Sequence, residues 1–158
     1  MEKTSLDNFL KLIGFQNLSF DDFWILGNAT SLSGDTGGEK LEFHRGPLLY
    51  AIVSFLKPKR ILEFGTGGGY STLCMAKALK FMEVKGDIIT IDPLPHNIKM
   101  YWNCIDDLNG EKTRKELLIA YNNLIEEYIK FIEGTSKKIV NKIKFSRIHF
   151  AFIDGTHE

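Results

Sequence analysis

Apolar residues recur at helical spacing through the N-terminal third of the chain. The spacing predicts helices over 5–15 and 19–26, each with a serine suited to capping at its start, and a third helix over 47–56. A glycine-rich loop over 33–38 separates the second helix from the third. The inward face of the third helix is predicted to carry Leu48, Leu49, Ile52, Val53 and Leu56.

The pattern changes after residue 58, where short apolar runs alternate with stretches of helical spacing. The runs predict buried strands over 60–64, 87–91, 128–133 and 148–153. The stretches between them predict helices over 70–81, 111–127 and 136–144. This alternation predicts an α/β fold, with a parallel sheet covered by helices on both faces. Ligands bind such sheets at the carboxyl ends of the strands, so the residues after each strand are the functional candidates.

The 158-residue chain is balanced in charge, with 20 basic and 20 acidic residues. A net charge near zero provides no general attraction to nucleic acid or to an anionic membrane. The longest charge-free apolar stretch, 46–56, is too short to cross a bilayer, and the N-terminus lacks the pattern of a signal peptide. We therefore expect a cytoplasmic protein without nucleic-acid or membrane partners.

A glycine-rich turn follows the first predicted strand, with the sequence Glu63-Phe64-Gly65-Thr66-Gly67-Gly68-Gly69-Tyr70-Ser71. Glycines permit a sharp turn and let a ligand touch the backbone, although a flexible turn without a ligand is the alternative. A dinucleotide site requires Gly-x-Gly-x-x-Gly, and its third glycine position is Tyr70 here. The Glu63 carboxylate would repel a pyrophosphate and attract an aminoacyl sulfonium. The turn therefore favours S-adenosylmethionine over a nicotinamide cofactor.

Polar residues also follow the second and third predicted strands. Asp92 can accept hydrogen bonds from ribose hydroxyls, although an aspartate before Pro93 is also common in plain turns. Gly134 would let an adenine ring approach the backbone. Ser136 would cap the next helix and face the adenine edge, or it would act as a cap alone.

The fourth predicted strand is followed by Asp154-Gly155-Thr156-His157. A carboxylate and an imidazole at the ligand edge of a sheet indicate a divalent metal or proton transfer. A solvated surface residue is the alternative interpretation of His157.

Together these segments resemble the class I S-adenosylmethionine-dependent methyltransferases. More narrowly, they are similar to the small-molecule O-methyltransferases related to catechol O-methyltransferase and the macrocin-type sugar methyltransferases. The resemblance extends over about 37–158, and its most specific parts are 69–71 and 152–157. It implies a Rossmann-like fold with strand order 3-2-1-4 and an S-adenosylmethionine-binding domain over 59–158. The helical spacing before this domain predicts a helical N-terminal segment over 1–58.

The resemblance also implies roles for individual residues in methyl transfer to a hydroxyl of a small-molecule acceptor. Asp154 matches a residue that binds Mg²⁺ in the metal-dependent members, where the cation orients the acceptor and lowers the pKa of its hydroxyl. Asp154 and His157 are the predicted catalytic residues. The predicted cofactor-binding residues are Glu63, Gly65, Thr66, Gly67, Tyr70, Ser71, Asp92, Gly134, Thr135 and Ser136.

The chain departs from this family in its length. The family's fold has three further strands after the one that ends near Asp154, and they carry the remaining metal ligands and much of the acceptor pocket. We therefore expect an incomplete fold in which 148–153 is an apolar edge strand. We expect a second chain, in a homodimer or another oligomer, to cover that edge, and little turnover from this chain alone.

Two other functions stay open at this point. The chain could be a catalytically inactive methyltransferase-like module for binding or assembly, completed by a partner chain. The intact Glu63, glycine-rich turn and Asp92 argue against such degeneration. A nicotinamide-dependent reductase is disfavoured by Tyr70, which stands where the dinucleotide pattern needs glycine.

Overall fold

Three helices form the N-terminal part of the protein. The computed structural model describes residues 5–15, 19–30, 43–104, 110–142 and 147–155. The first helices are α1 (Leu6–Leu12), α2 (Asp21–Thr30) and α3 (Arg45–Leu56). The Ser5 hydroxyl caps α1 by accepting a hydrogen bond from the Asn8 N–H at 3.2 Å. The predicted loop over 33–38 lies outside the described residues, and no helix within them is long and apolar enough to cross a membrane.

Four parallel strands form a single sheet. They are β1 (Arg60–Phe64), β2 (Asp87–Asp92), β3 (Ile129–Glu133) and β4 (Phe150–Ile153). Their order is β3-β2-β1-β4, which confirms the predicted order. Ile61 of β1 pairs with Ile88 of β2 and with Phe150 of β4, so these side chains share one face of the sheet. The chain changes direction across the sheet between β3 and β4, and this reversal makes the carboxyl edge near β1 a switch point.

Further helices connect the strands and cover both faces of the sheet. They are α4 (Tyr70–Phe81), α5 (Arg114–Leu117), α6 (Asn122–Tyr128) and α7 (Ser136–Val140). The helices α4 and α6 pack against each other and against β2. The helix α7 also contacts β2, and the right-handed crossover rule puts it on the opposite face because the chain reverses after β3.

The N-terminal helices and the sheet share one hydrophobic core around α4. Leu73, Ala76 and Leu79, which are spaced along one side of α4, are completely buried. Cys74 and Met75 are completely buried as well, because α3 packs on α4 and the sheet lies on its other side. The core cluster joins residues of α2 and α3 to residues of β1 and β2, namely Phe23, Leu26, Val53, Ile61 and Ile88. The helices α2 and α3 thus share a core with the sheet and α4.

The predicted inward face of α3 is partly wrong. Leu56 is 51% exposed, whereas Tyr50 and Ala51, which the pattern did not select, are buried. The helix contacts α1, α2 and α4 together, so its buried surface is wider than one stripe and is turned away from Leu56. Neighbouring helices, which sequence periodicity does not reveal, set this face.

The predicted single helix over 111–127 is also wrong, because the structure divides it into α5, a 3₁₀ turn over Ile119–Tyr121 and α6. The backbone N–H groups of Met100 and Lys112 each donate to the other residue's carbonyl at 3.0 Å, which keeps Lys112 extended. The α5 helix therefore starts only after Thr113. Leu118, at the break, is completely buried, and its side chain packs directly over Gly69.

The last two elements are shorter than predicted. The helix α7 ends at Val140 rather than at residue 144, and residues 143–146 lie outside the described part. The strand β4 begins at Phe150 rather than at Ile148. Within the described sheet, β4 pairs with β1 on one side, and Ile153 is 64% exposed. The expectation of an apolar edge strand at this end of the described sheet is confirmed.

Candidate functional site

A cavity of about 700 Å³ opens at the carboxyl ends of the strands. Its walls come from the turn after β1, the end of β2, the start of α7, the end of β4 and two residues of the N-terminal helices, Thr30 and Arg45. The predicted site residues that line it are Gly65, Thr66, Gly67, Tyr70, Ser71, Asp92, Thr135, Ser136 and Asp154. Glu63 and Gly134 lie behind this lining, and His157 lies outside the described residues.

The glycine-rich turn is shaped by close backbone contacts on both sides. Gly65 adopts a left-handed conformation with φ of 96°, and a Cβ atom there would overlap the Asp154 carbonyl group. A Cβ atom on Gly68 would overlap the carbonyl oxygen of Thr30. The turn therefore fits between β4 and the end of α2 because Gly65 and Gly68 carry no side chain, and its exposed side forms one wall of the cavity.

Glu63 is completely buried beneath this turn, so its side chain does not reach the cavity surface. The Thr72 hydroxyl of α4 donates a short hydrogen bond to Oε2, while Oε1 has no hydrogen-bond partner among the described residues. Burial raises the pKa of Glu63 from its usual 4.5 to about 7, against the opposing effect of the Thr72 hydrogen bond. A cation in the cavity would favour the ionised form of this carboxyl group.

Asp92 ends β2 and lies in the cavity wall, where it is 5% exposed. Its Oδ2 accepts a hydrogen bond from the Gly67 N–H at 2.8 Å, and its Oδ1 accepts one from the Leu94 N–H at 2.7 Å. Oδ1 also accepts from Arg114 Nη2 at 3.1 Å. A carboxylate has about four acceptor positions, so about one remains for a ligand rather than the two that a pair of ribose hydroxyls would use.

The segment after β3 forms the opposite wall. Thr135, rather than Ser136, is the N-cap of α7, and it makes no side-chain capping bond. The predicted capping role of Ser136 is therefore wrong, because Ser136 is already the first residue of the helix. The Gly134 N–H donates to the Asp92 carbonyl at 2.9 Å, which ties this segment to β2.

Tyr70 and Ser71 open α4 at the floor of the cavity. Tyr70 is only 2% exposed, and its hydroxyl donates to the Phe43 carbonyl at 2.6 Å. Burial raises the pKa of this hydroxyl above its ordinary range, so it stays protonated. Tyr70 therefore connects the start of α3 to α4 beneath the cavity.

Asp154 does not stand alone at the end of β4. Its Oδ2 accepts a hydrogen bond from Arg45 Nη1 at 2.6 Å, and the side chains are 35% and 45% exposed for Arg45 and Asp154. The Arg45 guanidinium also lies 5.8 Å from the centre of the Tyr70 ring. Sequence reasoning missed Arg45, because nothing in the pattern around the start of α3 marks it as part of the site.

The predicted magnesium site is not formed by the described residues. No group of three or more histidine, cysteine, aspartate or glutamate side chains that could hold a metal ion occurs among them. Asp154, the predicted ligand, already has a cationic partner in Arg45. These residues do not fit a magnesium ion.

A family model described as a methyltransferase domain matches residues 62–158 of the chain. The match therefore covers the glycine-rich turn, Asp92, the segment after β3 and Asp154. No protein in the curated sequence comparison matches the chain.

Solved structures with a similar fold include three methyltransferases. The methyltransferase PaMTH1 of Podospora anserina, bound to S-adenosylhomocysteine, is 19% identical with a TM-score of 0.60, over 85% of this chain and 50% of that one. A putative O-methyltransferase from Klebsiella pneumoniae is 20% identical with a TM-score of 0.58, over 94% and 59%.

The third is the O-methyltransferase TomG of Streptomyces achromogenes, involved in tomaymycin synthesis and bound to S-adenosylmethionine. It is 18% identical with a TM-score of 0.56, over 92% of this chain and 58% of that one. At these identities the likeness shows the fold alone, and the chain spans between 50% and 59% of the length of these three proteins.

Proposed function

Because this chain belongs to the methyltransferase-domain family, we propose that it binds S-adenosylmethionine in the cavity at the carboxyl ends of its strands. In this proposal the chain is the cofactor-binding part of an enzyme that methylates a hydroxyl group of a small molecule. One observation carries the proposal: the turns after all four strands contribute to one cavity.

The chemistry of the cavity wall suits the parts of this cofactor. The bare backbone of the turn at Gly65 and Gly67 lets an aminoacyl chain approach closely. The buried Glu63 carboxyl group behind the turn favours a positive charge in front of it. The remaining acceptor position of Asp92 suits a ribose hydroxyl, and Leu94 offers apolar surface for an adenine ring.

When bound, S-adenosylmethionine would supply a methyl group on a sulfonium centre. The chain's own residues would orient the acceptor and receive its proton. Asp154 lines the cavity and is 45% exposed at its side chain, so an acceptor hydroxyl can reach it. In our proposal Asp154 accepts a hydrogen bond from that hydroxyl and orients it, while Arg45 holds the carboxylate in place. His157 stays the candidate from the sequence for receiving the proton.

We do not include magnesium in this proposal. The described residues contribute one carboxylate at the predicted metal position, and Arg45 already neutralises it. Mg²⁺ is bound by carboxylates and other oxygen ligands, so a metal-dependent reaction would need ligands beyond these residues.

Calorimetric titration with S-adenosylmethionine and S-adenosylhomocysteine tests the proposed function. We expect the protein to bind both ligands. The substitution Ser136→Trp should weaken binding by at least about tenfold, because Ser136 is exposed and lines the cavity, where an indole ring would fill the space for the base.

Lys138→Trp is the matched control. Lys138 is an exposed residue of the same helix that does not line the cavity, so this variant should bind like the wild type. Absence of binding by the wild-type protein would support the inactive-module alternative. A change in NADH fluorescence on addition of the protein would instead support the alternative of a nicotinamide-dependent reductase.

A further inference from the structure

The segment between β2 and β3 sends one arginine into the interior behind the cavity. On the premise that the cavity binds S-adenosylmethionine, we propose that Arg114 is a positioning residue that prepares Asp92 for the ribose. Arg114 does not line the cavity, so it acts on a ligand through Asp92 and the glycine-rich turn.

The contacts of Arg114 connect two walls of the cavity. Its Nη2 donates to Asp92 Oδ1 at 3.1 Å, and its Nε donates to the Gly67 carbonyl at 3.1 Å. The Gly67 N–H in turn donates to Asp92 Oδ2 at 2.8 Å. The end of β2, the turn after β1 and the guanidinium group therefore form a closed set of hydrogen bonds.

Burial fixes the arginine in this position. Its side chain is 1% exposed, and the Asp92 side chain is 6% exposed. Burying a guanidinium without an anionic partner is costly, so Arg114 and Asp92 must stay paired in the folded protein. Two aromatic rings also flank the guanidinium carbon, with the Trp102 centroid at 5.2 Å and the Phe131 centroid at 5.9 Å.

The local sequence delivers Arg114 to this place. Thr113 and Glu116 form a capping box, and Arg114 is the first helical residue after the cap. The Trp102 indole N–H donates to the Lys112 carbonyl at 2.8 Å, which holds the flanking backbone. The segment thus presents a rigid cation to the back of the cavity wall.

The consequence concerns recognition of the ribose. With three protein donors on Asp92, its carboxylate has one orientation and about one remaining acceptor position. Without Arg114, the Gly67 and Leu94 N–H groups still contact the carboxylate, but Asp92 loses its buried cationic partner and the Gly67 carbonyl loses its tie to the guanidinium, so the end of β2 and the turn after β1 are held together less firmly. Replacing Arg114 should then weaken the binding of ligands that have ribose hydroxyls. The affinity for ligands that lack these hydroxyls should change little.

The experiment compares adenosine with 2′,3′-dideoxyadenosine in wild type, Arg114→Lys and Arg114→Met, with S-adenosylhomocysteine as the reference ligand. We expect Arg114→Met to weaken the binding of adenosine and S-adenosylhomocysteine by about tenfold or more. The binding of dideoxyadenosine should weaken by less than about twofold. Arg114→Lys should fall between, because lysine keeps the charge but lacks the planar fork that reaches both partners. If Arg114→Met does not fold, the comparison of Arg114→Lys with the wild type provides the test.

Arg60 supplies the matched control. The Arg60 guanidinium donates to the Asp87 carboxylate at 2.7 and 2.9 Å. Asp87 is at the opposite end of β2 from Asp92, and neither Arg60 nor Asp87 lines the cavity. Arg60→Met should lower the thermal unfolding temperature without changing the preference for adenosine over dideoxyadenosine.

The outcomes separate the proposals. Failure of the wild type to bind S-adenosylhomocysteine overturns the proposed function and this inference with it. Binding by the wild type, with the same adenosine preference in both Arg114 variants, overturns this inference alone, because Arg114 would then be only a structural residue.

Discussion

Glu63 links the stability of the fold to the chemistry of its cavity. It is completely buried between β1 and α4, next to the turn that forms the cavity wall, and Oε1 lacks a partner among the described residues. An ionised carboxylate in this position is costly, because burial removes its hydration. At neutral pH, ionisation of the Glu63 carboxyl group therefore lowers the stability of the folded protein. A cation nearby would offset this loss.

This arrangement predicts a stability that depends on pH. The folded-state pKa of Glu63, about 7, lies above its usual 4.5, so the folded protein keeps a proton that the unfolded chain releases in this range. Its contribution to stability is lost as the pH rises from 4.5 to about 7. Glu63→Gln should remove this dependence. As the pH rises from about 5 to about 8, the free energy of unfolding of the variant should increase by about 2–3 kcal/mol relative to that of the wild type.

Urea unfolding of both proteins at the two pH values measures the difference. A constant difference between Glu63→Gln and wild type across this range would contradict the assignment of the proton to Glu63. Comparison with the variant at each pH removes the contributions of all other titrating groups.

At the scale of elements, the segment between β2 and β3 does more than connect two strands. Its short helix α5 begins with a capping box, in which the Glu116 N–H donates to Thr113 Oγ1 at 3.1 Å and the Thr113 N–H donates to Glu116 Oε2 at 2.8 Å. A four-residue helix has little stability of its own, so the cap and tertiary contacts hold it. The cap therefore supports the residue that follows it, Arg114.

Thr113→Ala should lower the free energy of unfolding by about 1 kcal/mol, because an N-cap is lost. It should also weaken binding of S-adenosylhomocysteine several-fold, since Arg114 loses its fixed start of helix. Ser5→Ala is the control, because it removes the N-cap of α1, remote from the cavity. Equal ligand affinity in the two variants would show that the cap has no connection with the site.

At the scale of the whole molecule, β4 forms one edge of the sheet that the structure describes, and this edge has exposed apolar surface. Ala151 and Ile153 are exposed on one face of this strand, while Phe150 and Phe152 pack against the core on the other. An edge strand without charged residues is a template for pairing. We propose that another chain covers this edge, by strand pairing or through a two-fold hydrophobic interface.

Light scattering should therefore give a mass above that of the monomer at low micromolar concentration. Ala151→Lys should shift the protein towards monomer, because it puts a charge on the exposed face of the edge. Leu12→Lys, at an 81% exposed position of α1, should leave the assembly unchanged. A wild-type protein that stays monomeric on dilution would contradict the covered edge.

The sequence pattern predicted the four strands and half of the cavity-lining residues, and the family resemblance supplied the strand order. The strands and the candidate residues follow from local properties: apolar runs define buried strands, and the carboxyl ends of parallel strands meet at one edge. Gly65, Asp92 and Asp154 could therefore be found from their places after strands. Only the tertiary structure decided the partners of those residues. Arg45 reaches Asp154, and Arg114 reaches Asp92, across long separations in the chain. The break at Leu118 and the exposure of Leu56 likewise depend on packing between distant elements, which periodicity along one segment does not encode.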